Sequence, residues 1–230
     1  MKKSSYIRNL YGRRIDKPLR ARPARLMQEL LPEFSIKFED GNNPLDELFS
    51  QDRETWLEVG FGGGEHLAAQ AIKNPDVTLI GAEPFVNGVA KTLSLIDQDN
   101  IENIRIHFGD ARPLIEALPD ESISKIFVLH PDPWPKRRHH KRRMINSWFT
   151  EEAARILKNN GEARIASDIP DYIQWTLMHF QNSSEFQWRA KEMNDWKVRP
   201  DDWPQTRYEI KALRDGRRPT YLSFERLARL

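Results

Sequence analysis

The fold follows from the stretch Thr55-Trp56-Leu57-Glu58-Val59-Gly60-Phe61-Gly62-Gly63-Gly64, in which a short apolar segment runs into a glycine-rich turn. Residues 65–73 continue with a helical pattern that ends at Asn74 and Pro75, because proline cannot continue a helix. A strand, a tight glycine turn and a helix in this order are typical of the first unit of a nucleotide-binding α/β sheet. The stretch therefore predicts a strand, a turn and a helix at this point of the chain.

The same alternation of strand and helix patterns continues towards the C-terminus. Further strands are predicted at residues 77–83, 103–108, 125–130 and 163–166. Further helices are predicted at residues 87–98, 112–118, 141–158 and 172–180. Strands that alternate with helices pair in parallel through right-handed crossovers, which predicts a doubly wound α/β sheet.

The C-terminal region predicts one more pair of strands. Asp215-Gly216 lies between two runs that alternate polar and apolar residues, at 208–213 and 220–226. Asp-Gly between such runs is a strong signal for a β-hairpin. We therefore expect a seven-stranded, mostly parallel sheet with one antiparallel strand from a C-terminal hairpin.

Length and charge distribution suggest how the chain is organised. With 230 residues it is long enough for one domain with a sizeable core. The net charge is only +2, but residues 1–25 carry nine Lys or Arg and a single acid, Asp16. Such a segment cannot bury enough apolar surface to offset the entropy of ordering. We expect a flexible basic arm at residues 1–25 and a single domain at residues 26–230.

Composition also excludes several classes of protein. The chain has no cysteine, which excludes disulfides, thiolate metal sites, iron–sulfur clusters and a catalytic thiol. His139 and His140 form no recognisable metal set with other ligands. No apolar run approaches the roughly 20 residues of a membrane span, and the N-terminus lacks the apolar core of a secretion signal. We expect a cytoplasmic monomer or homodimer without a metal, a membrane anchor or an obligate protein partner.

Four carboxylates stand at or just beyond the carboxyl ends of predicted strands: Glu58, Glu83, Asp110 and Asp132. Ligands of doubly wound sheets bind beyond these strand ends, so the four side chains are candidates for one common site. Taken singly, each acid is equally well explained as a helix cap, because Asp and Glu favour helix N-termini. Their joint placement favours a ligand-binding site.

The residues of the glycine turn discriminate between ligands. A dinucleotide fingerprint, Gly-x-Gly-x-x-Gly, requires glycine where this chain has Glu65, and a carboxylate there would repel a pyrophosphate. S-adenosylmethionine has no phosphate, and its sulfonium, ammonium, ribose hydroxyls and adenine amine all seek acceptors. The backbone could approach its methionine half closely at three glycines, Gly60, Gly62 and Gly64. Glu83 would accept the ribose hydroxyls, and Asp110 would face the adenine amine.

A second unusual stretch, Pro131-Asp132-Pro133-Trp134-Pro135, follows the strand predicted at 125–130. Its three prolines should hold Asp132 and Trp134 in a stiff loop. Six of the eight residues from 136 to 143 are Lys or Arg, and clustered positive charge of this kind suits a polyanion. Trp134 could stack on an extruded base or could simply pack against the core.

Together these motifs resemble the bacterial tRNA (guanine-N7)-methyltransferase family over roughly residues 50–227. The segments that carry the resemblance are 57–64, 81–83, 109–111, 131–143, 167–168 and 206–209. The resemblance implies a class I methyltransferase fold, S-adenosylmethionine as donor and a guanosine of the tRNA variable loop as acceptor. His130 and Ser167 depart from the family pattern, in which an aromatic residue and threonine are expected.

The resemblance also implies roles for individual residues. The donor pocket would be lined by Glu58, Glu83, Asp110 and Asp132, and Asp132 would also be the catalytic residue. The target nucleotide would contact Lys136, Asp168, Thr206, Arg207, Tyr208 and Glu209. The tRNA would be bound by Arg138, His139, His140, Lys141, Arg142 and Arg143. Asp168 could instead cap the helix that follows it.

The implied reaction agrees with the residues present. Guanine N7 has a free lone pair and needs no deprotonation before it takes up a methyl group, so positioning should supply most of the catalysis. Carboxylates such as Asp132 and Asp168 could stabilise the positive charge that methylation leaves on the purine. The basic residues around them would meet phosphates.

Other functions are weighed against this one. A non-catalytic RNA-binding module would explain the basic arm but would leave the strand-end acids without a purpose. A small-molecule methyltransferase predicts no salt-dependent affinity for tRNA. The order Asp132-Pro133-Trp134-Pro135 argues against a base-amino methyltransferase, which uses an Asp-Pro-Pro-aromatic turn. A pyrimidine-C5 methyltransferase is excluded because it needs a cysteine nucleophile.

Overall fold

Seven strands form one sheet in the computed structural model of the protein, which describes residues 10–12, 14–36, 45, 48–49 and 53–229. The strands are β1 (Thr55–Val59), β2 (Thr78–Ala82), β3 (Ile104–His107), β4 (Ile123–Leu129), β5 (Leu157–Ser167), β6 (Phe186–Trp188) and β7 (Thr220–Arg226). Their order across the sheet is β3-β2-β1-β4-β5-β7-β6. β7 is antiparallel to both of its neighbours, and the other pairs are parallel. The predicted doubly wound, mostly parallel sheet with one antiparallel strand is confirmed.

The direction in which strands are added reverses between β1 and β4. The chain adds β2 and β3 on one side of β1 and then returns to add β4 and β5 on the other. Ligands of doubly wound sheets bind in the crevice at this switch point, beyond the carboxyl ends of the strands. Since β1 and β4 are neighbours, the glycine turn after β1 and the proline-rich loop after β4 meet at this crevice.

Helices connect the strands. They are α1 (Ala21–Glu29), α2 (Leu31–Phe34), α3 (Glu65–Lys73), α4 (Val86–Asp99), α5 (Ala111–Ala117), α6 (Ser147–Ile156), α7 (Pro170–Gln181), α8 (Asn194–Lys197) and α9 (Arg207–Arg214), with a 3-10 helix at Arg137–Arg142. The helices predicted at 65–73, 87–98, 112–118 and 172–180 are present within two residues of their predicted ends.

The core lies on both faces of the sheet. All five residues of β1 are buried, and successive side chains point to opposite faces. Leu57 and Val59 therefore join one apolar cluster, with α5, α6 and α7, whereas Trp56 joins the other, with α3 and α4. Burial on both faces explains why the parallel strands read as continuous apolar runs.

The prediction of a strand at residues 208–213 is wrong, because these residues lie in α9. The Oγ1 atom of Thr206 accepts a hydrogen bond from the backbone N–H of Glu209 at 3.2 Å, which caps the helix. Thr-x-x-Glu is a sequence signal for a helix start, and it outweighs the short run of alternating residues. β7 instead pairs with β5 and with the short β6.

The helix predicted at 141–158 is shorter than expected. Asn146 caps α6, because its Oδ1 atom accepts a hydrogen bond from the backbone N–H of Phe149 at 3.1 Å, and the helix begins at Ser147. The preceding basic residues form the 3-10 helix instead. β5 begins at Leu157, directly after the end of α6, so the strand predicted at 163–166 extends further back along the chain.

Part of the predicted arm packs on the domain. α1 begins at Ala21, so the expected boundary at residue 25 falls inside a helix, and Leu26 is buried against α4. Asn87, in α4, binds the backbone of this segment through the N–H of Asp16 and the carbonyl of Lys17. Residues 1–9 and 13 of the predicted arm lie outside the described residues.

Candidate functional site

A cavity of about 430 Å³ opens at the carboxyl ends of β1, β2 and β4. This volume is in the range typical of small-ligand sites. Its lining comes from the N-terminal segment, the ends of β1, β2 and β4, the loops that follow these strands, the start of α5, the 3-10 helix and α9. The residues are Leu10, Tyr11, Gly12, Val59, Gly60, Gly62, Ala82, Glu83, Pro84, Phe85, Asp110, Ala111, Val128, Leu129, His130, Pro131, Asp132, Trp134, Arg142, Met144 and Tyr208.

The glycine turn needs glycine at two positions for different reasons. Gly62 has φ +57°, in the left-handed region that side chains disfavour, and it lines the cavity. Gly64 has φ +74°, and a Cβ there would lie 2.2 Å from Oγ1 of Thr92. Gly60 and Gly62 line the cavity, whereas Gly64 packs α3 against α4 behind it.

Glu83 is buried at the end of β2 and bridges two backbone segments. Its Oε2 atom accepts a hydrogen bond from the N–H of Gly62 at 2.7 Å, and its Oε1 atom accepts one from the N–H of Phe85 at 2.9 Å. Burial raises the pKa of Glu83, although the two amide hydrogen bonds act in the opposite direction. Each carboxylate oxygen retains a lone pair for a ligand, because a carboxylate offers about four acceptor positions.

Asp110 and Glu58 are placed differently from each other. Asp110 lines the cavity and also caps α5, since its Oδ1 atom accepts a hydrogen bond from the N–H of Arg112 at 3.0 Å. The Nε atom of Arg112 lies 2.9 Å from Oδ2 of Asp110. Glu58 does not line the cavity; it is buried behind the glycine turn, 2.7 Å from Nδ1 of His66. Three of the four predicted acids therefore share the cavity.

Asp132 lies in the proline-rich loop at the edge of the cavity. Its pKa is raised because the surrounding protein removes water from the carboxylate. The negative charge of Asp132 also acts to raise the pKa of Glu83, but less than burial does. Two neighbours, His130 and Trp134, have φ +49° and +42°, so the loop is held in a conformation that side chains rarely adopt.

The N-terminal segment completes the cavity, and the sequence alone did not indicate this. The ring of Tyr11 lies 6.1 Å from the ring of Trp134, and the guanidinium of Arg142 lies 4.1 Å above Tyr11 and 5.0 Å above Trp134. A Cβ on Gly12 would lie 3.4 Å from Oδ2 of Asp132. Trp134 thus stands at the cavity and is not part of the core clusters.

Asp168 lies behind the cavity and does not line it. Its Oδ1 atom is 3.3 Å from Nδ1 of His130, and its other oxygen forms an ion pair with Arg217. Burial lowers the pKa of His130 to about 4, so this imidazole is neutral near pH 7. Asp168 does not cap α7; it lines a second cavity of about 260 Å³ beside that helix.

Of the four residues predicted at 206–209, only Tyr208 lines the cavity. Its ring is 6.4 Å from the ring of His130, with 24° between the planes. Thr206 and Glu209 are buried, and Glu209 accepts a hydrogen bond from the hydroxyl of Tyr221 at 2.8 Å. Arg207 is exposed, with its Nε atom 3.8 Å from Glu65.

The residues predicted to bind RNA at 138–143 lie in and directly after the 3-10 helix, and one of them, Arg142, lines the cavity. Arg138 and Lys141 are exposed, and His139, His140 and Arg142 are half-buried. Lys136, which was predicted to contact the target nucleotide, is exposed and does not line the cavity. Arg143 departs from the prediction, because its side chain is buried and cannot face an RNA. Its Nε atom donates to the carbonyl of Pro133 at 2.9 Å, and it forms an ion pair with Asp171. Arg143 therefore holds the proline-rich loop against α7.

Replacing Arg143 with alanine should lower the free energy of unfolding by about 2 kcal/mol, because the charged side chain loses its hydrogen bonds to Pro133 and Asp171. Urea denaturation of the variant and the wild type measures this difference. Arg138→Ala is the matched control, since Arg138 is exposed and its loss should change stability by no more than about 0.5 kcal/mol. Equal stability of the two variants would contradict the structural role of Arg143.

Two kinds of site are absent from the described part of the chain. Its titratable side chains form no group of three or more that could hold a metal ion. Its helices include none with the length and apolar character needed to cross a membrane.

Sequence comparisons point to one family. Residues 52–222 match a family model described as "Putative methyltransferase". A tRNA (guanine-N(7)-)-methyltransferase from Ruegeria sp. (strain TM1040) is 49% identical over 225 residues, which cover 95% of this chain and 88% of the relative. A protein of the same name from Rhodospirillum rubrum is 47% identical over 231 residues, with the same two coverages of 95% and 88%.

Solved structures support the fold. The 16S rRNA methyltransferase KamB superposes with a TM-score of 0.59 at 14% identity and covers 84% of this chain and 95% of its own. The aminoglycoside resistance methyltransferase NpmB1 gives a TM-score of 0.56 at 15% identity, with coverages of 83% and 95%. At these identities the likeness concerns the fold, which is that of methyltransferases with a doubly wound sheet.

Proposed function

Because the chain belongs to the tRNA (guanine-N(7)-)-methyltransferase family, we infer that it is an S-adenosylmethionine-dependent enzyme that methylates guanine N7 in tRNA. The target is a guanosine of the variable loop, as the resemblance of the motifs implies. The observation that carries the inference is the cavity at the switch point, where three acids face one space beside a cationic segment.

The cavity suits S-adenosylmethionine better than a phosphorylated cofactor. Glu83, Asp110 and Asp132 are acceptors for hydroxyl, amine and cationic groups, and they would repel a pyrophosphate. Gly60 and Gly62 have no side chain of their own, so the methionine half could approach their backbone closely, with the ring of Tyr208 next to Gly62. Glu83, directly after β2, would accept the ribose hydroxyls. When bound, S-adenosylmethionine supplies an electrophilic methyl group.

Residues at the mouth of the cavity would hold the target base. Trp134 and Tyr208 offer aromatic faces on which an extruded guanine could stack. Guanine N7 needs no general base, so the protein contributes orientation and exclusion of water. Asp132 would stabilise the positive charge that develops on the purine, because its carboxylate lies in a partly desolvated site.

The remaining predicted roles stay proposals. Arg138 and Lys141 would bind phosphates of the tRNA, because they are exposed in the 3-10 helix that also contributes Arg142 to the cavity. Lys136, directly before that helix, would contact the target nucleotide, as the resemblance implies. Asp168 would act through His130, which it contacts, and would not touch the nucleotide directly. We also propose that the enzyme acts in the cytoplasm as a monomer or homodimer, since its cysteine-free sequence and tRNA substrate are compatible with a reducing compartment.

A methylation assay tests this function. The purified protein is incubated with labelled S-adenosylmethionine and an unmodified tRNA transcript, and the product is digested to nucleosides. We expect N7-methylguanosine from the transcript and none from a transcript in which adenosine replaces the variable-loop guanosine. Label in another nucleoside, or no label in tRNA despite donor binding, would overturn the proposal.

A further inference from the structure

The outward face of α9 carries three cations in a row, and the proposed binding of donor, base and tRNA does not involve all three together. Arg207, Lys211 and Arg214 are spaced i, i+4 and i+7, which places them on one side of a helix. All three are exposed, whereas Glu209 and Ala212 on the opposite side are buried. The row extends for about 10 Å along the helix axis at 1.5 Å per residue.

The helix is held rigidly by its buried side. Glu209 accepts a hydrogen bond from Tyr221 in β7 and lies 3.1 Å from Nε of Arg199. The cap by Thr206 fixes the first turn. Because these contacts are made by the buried side of α9, the cations on its outer side remain exposed to solvent.

Two of the outer cations, Lys211 and Arg214, have little competing negative charge, whereas Arg207 lies near Glu65. Lys211 forms no ion pair with any described residue. Among the described residues Arg214 forms an ion pair only with its neighbour Asp215, at 3.4 Å, and 73% of the Arg214 side chain is exposed. Exposed pairs of this kind are weak, at about 0–1 kcal/mol. The cations are therefore available to an external anion.

The position of α9 connects this row to the cavity. Tyr208 lies in the first turn of α9 and lines the cavity, as does Arg142 from the 3-10 helix. Two basic elements thus border the same opening. A polyanion whose base enters the cavity would run past both of them.

We propose that Lys211 and Arg214 form a second phosphate-binding surface for the substrate tRNA, separate from the basic 3-10 helix. This inference rests on the proposed function. RNA is favoured over a protein or a membrane because the helix that carries these cations also contributes Tyr208 to the cavity that would take the base. In addition, only Ala212 and Leu213 separate Lys211 from Arg214, so no acid lies between the two cations.

The test is the double variant Lys211→Ala/Arg214→Ala. Its affinity for an unmodified tRNA transcript should fall about 10-fold at moderate salt, and the slope of log Kd against log salt should decrease by about 1.5, since each lost phosphate contact contributes about 0.7–0.9. The donor Kd, measured by calorimetry, should be unchanged. The matched control is Lys73→Ala/Lys158→Ala, which removes two exposed lysines at the end of α3 and at the start of β5 and should leave the salt slope unchanged.

The outcomes separate this inference from the proposed function. Failure of the wild type to methylate tRNA would overturn both. Wild-type methylation together with a double variant that binds tRNA like the lysine control would overturn only the second surface. Binding of the wild type to vesicles of anionic phospholipid, lost in the double variant while its tRNA affinity is kept, would also overturn it in favour of a membrane contact.

Discussion

Replacing Asp132 with alanine is expected to lower kcat for methyl transfer to tRNA by about 10²–10³-fold. The reason is that Asp132 is the acid of the proline-rich loop at the cavity, placed where positive charge develops on the purine. Loss of one preorganised electrostatic partner typically costs this much. Single-turnover methylation with saturating donor and tRNA measures the chemical step directly.

Two further variants define what Asp132 does. Asp132→Asn keeps the shape of the side chain but removes its charge, so it should be nearly as inactive as the alanine variant if charge stabilisation dominates. Asp99→Ala removes an exposed acid at the end of α4 and should retain full activity. Full turnover of Asp132→Ala would exclude the catalytic role.

The Asp132→Asn substitution should not lower the stability of the folded protein. Because burial raises the pKa of Asp132 above its unfolded value, the folded state binds the proton more tightly than the unfolded state does. Any stability that this linkage contributes is present at low pH and is lost as the pH rises through the raised pKa. Thermal melting near pH 7 should therefore show Asp132→Asn to be at least as stable as the wild type.

Replacing Glu83 with glutamine is expected to raise the Kd for S-adenosylmethionine about 100-fold, which corresponds to about 2.7 kcal/mol. Glu83 would bind the ribose through charge-assisted hydrogen bonds, which contribute about 1.5–3 kcal/mol each. The new amide would also point its NH₂ group at the backbone N–H of Gly62 or Phe85, so one of these donors would lose its acceptor. Isothermal titration calorimetry measures the change.

The pH dependence of donor binding provides a second readout for Glu83. Its raised pKa means that protonation begins at a higher pH than for an ordinary glutamate, and the protonated form is the poorer partner for a cationic ligand. Wild-type affinity should fall as the pH falls through this pKa, and Glu83→Gln should lack that component. Glu102→Gln, at an exposed acid before β3, is the control. An unchanged donor Kd in Glu83→Gln would show that Glu83 does not hold the donor.

Local signals were sufficient for much of the architecture. The apolar run of β1, the glycines that allow a positive φ in the turn, and the proline after α3 are signals that lie within a few residues of the element they predict. Asp110 is both a helix cap and a cavity residue, so the two interpretations of this acid are compatible. For α9, the capping signal of Thr206 and Glu209 was present in the sequence and outweighs the alternation that suggested a strand.

Other features depend on partners far away in the chain. The six cationic residues from 136 to 143 look alike in sequence, yet Arg143 is buried because Asp171 and Trp175 of α7 lie next to it. Tyr11 reaches the cavity through contacts with Trp134 and Arg142, more than a hundred residues later. Composition could not reveal these contacts, because it describes a segment without its neighbours.

By itself, the sequence determined the alternation of strands and helices from β1 to α7, the parallel part of the sheet and the set of acids at the strand ends, since periodicity and turn chemistry are local properties. It did not predict β6, and it predicted a strand where α9 lies. Only the tertiary structure decided which of those groups share a space: Glu83, Asp110 and Asp132 line the cavity, whereas Glu58 and Asp168 lie behind it. The physical reason is that the direction and burial of a side chain are set by packing between segments distant in the chain, where a shift of a few ångströms separates contact with a ligand from contact with the core.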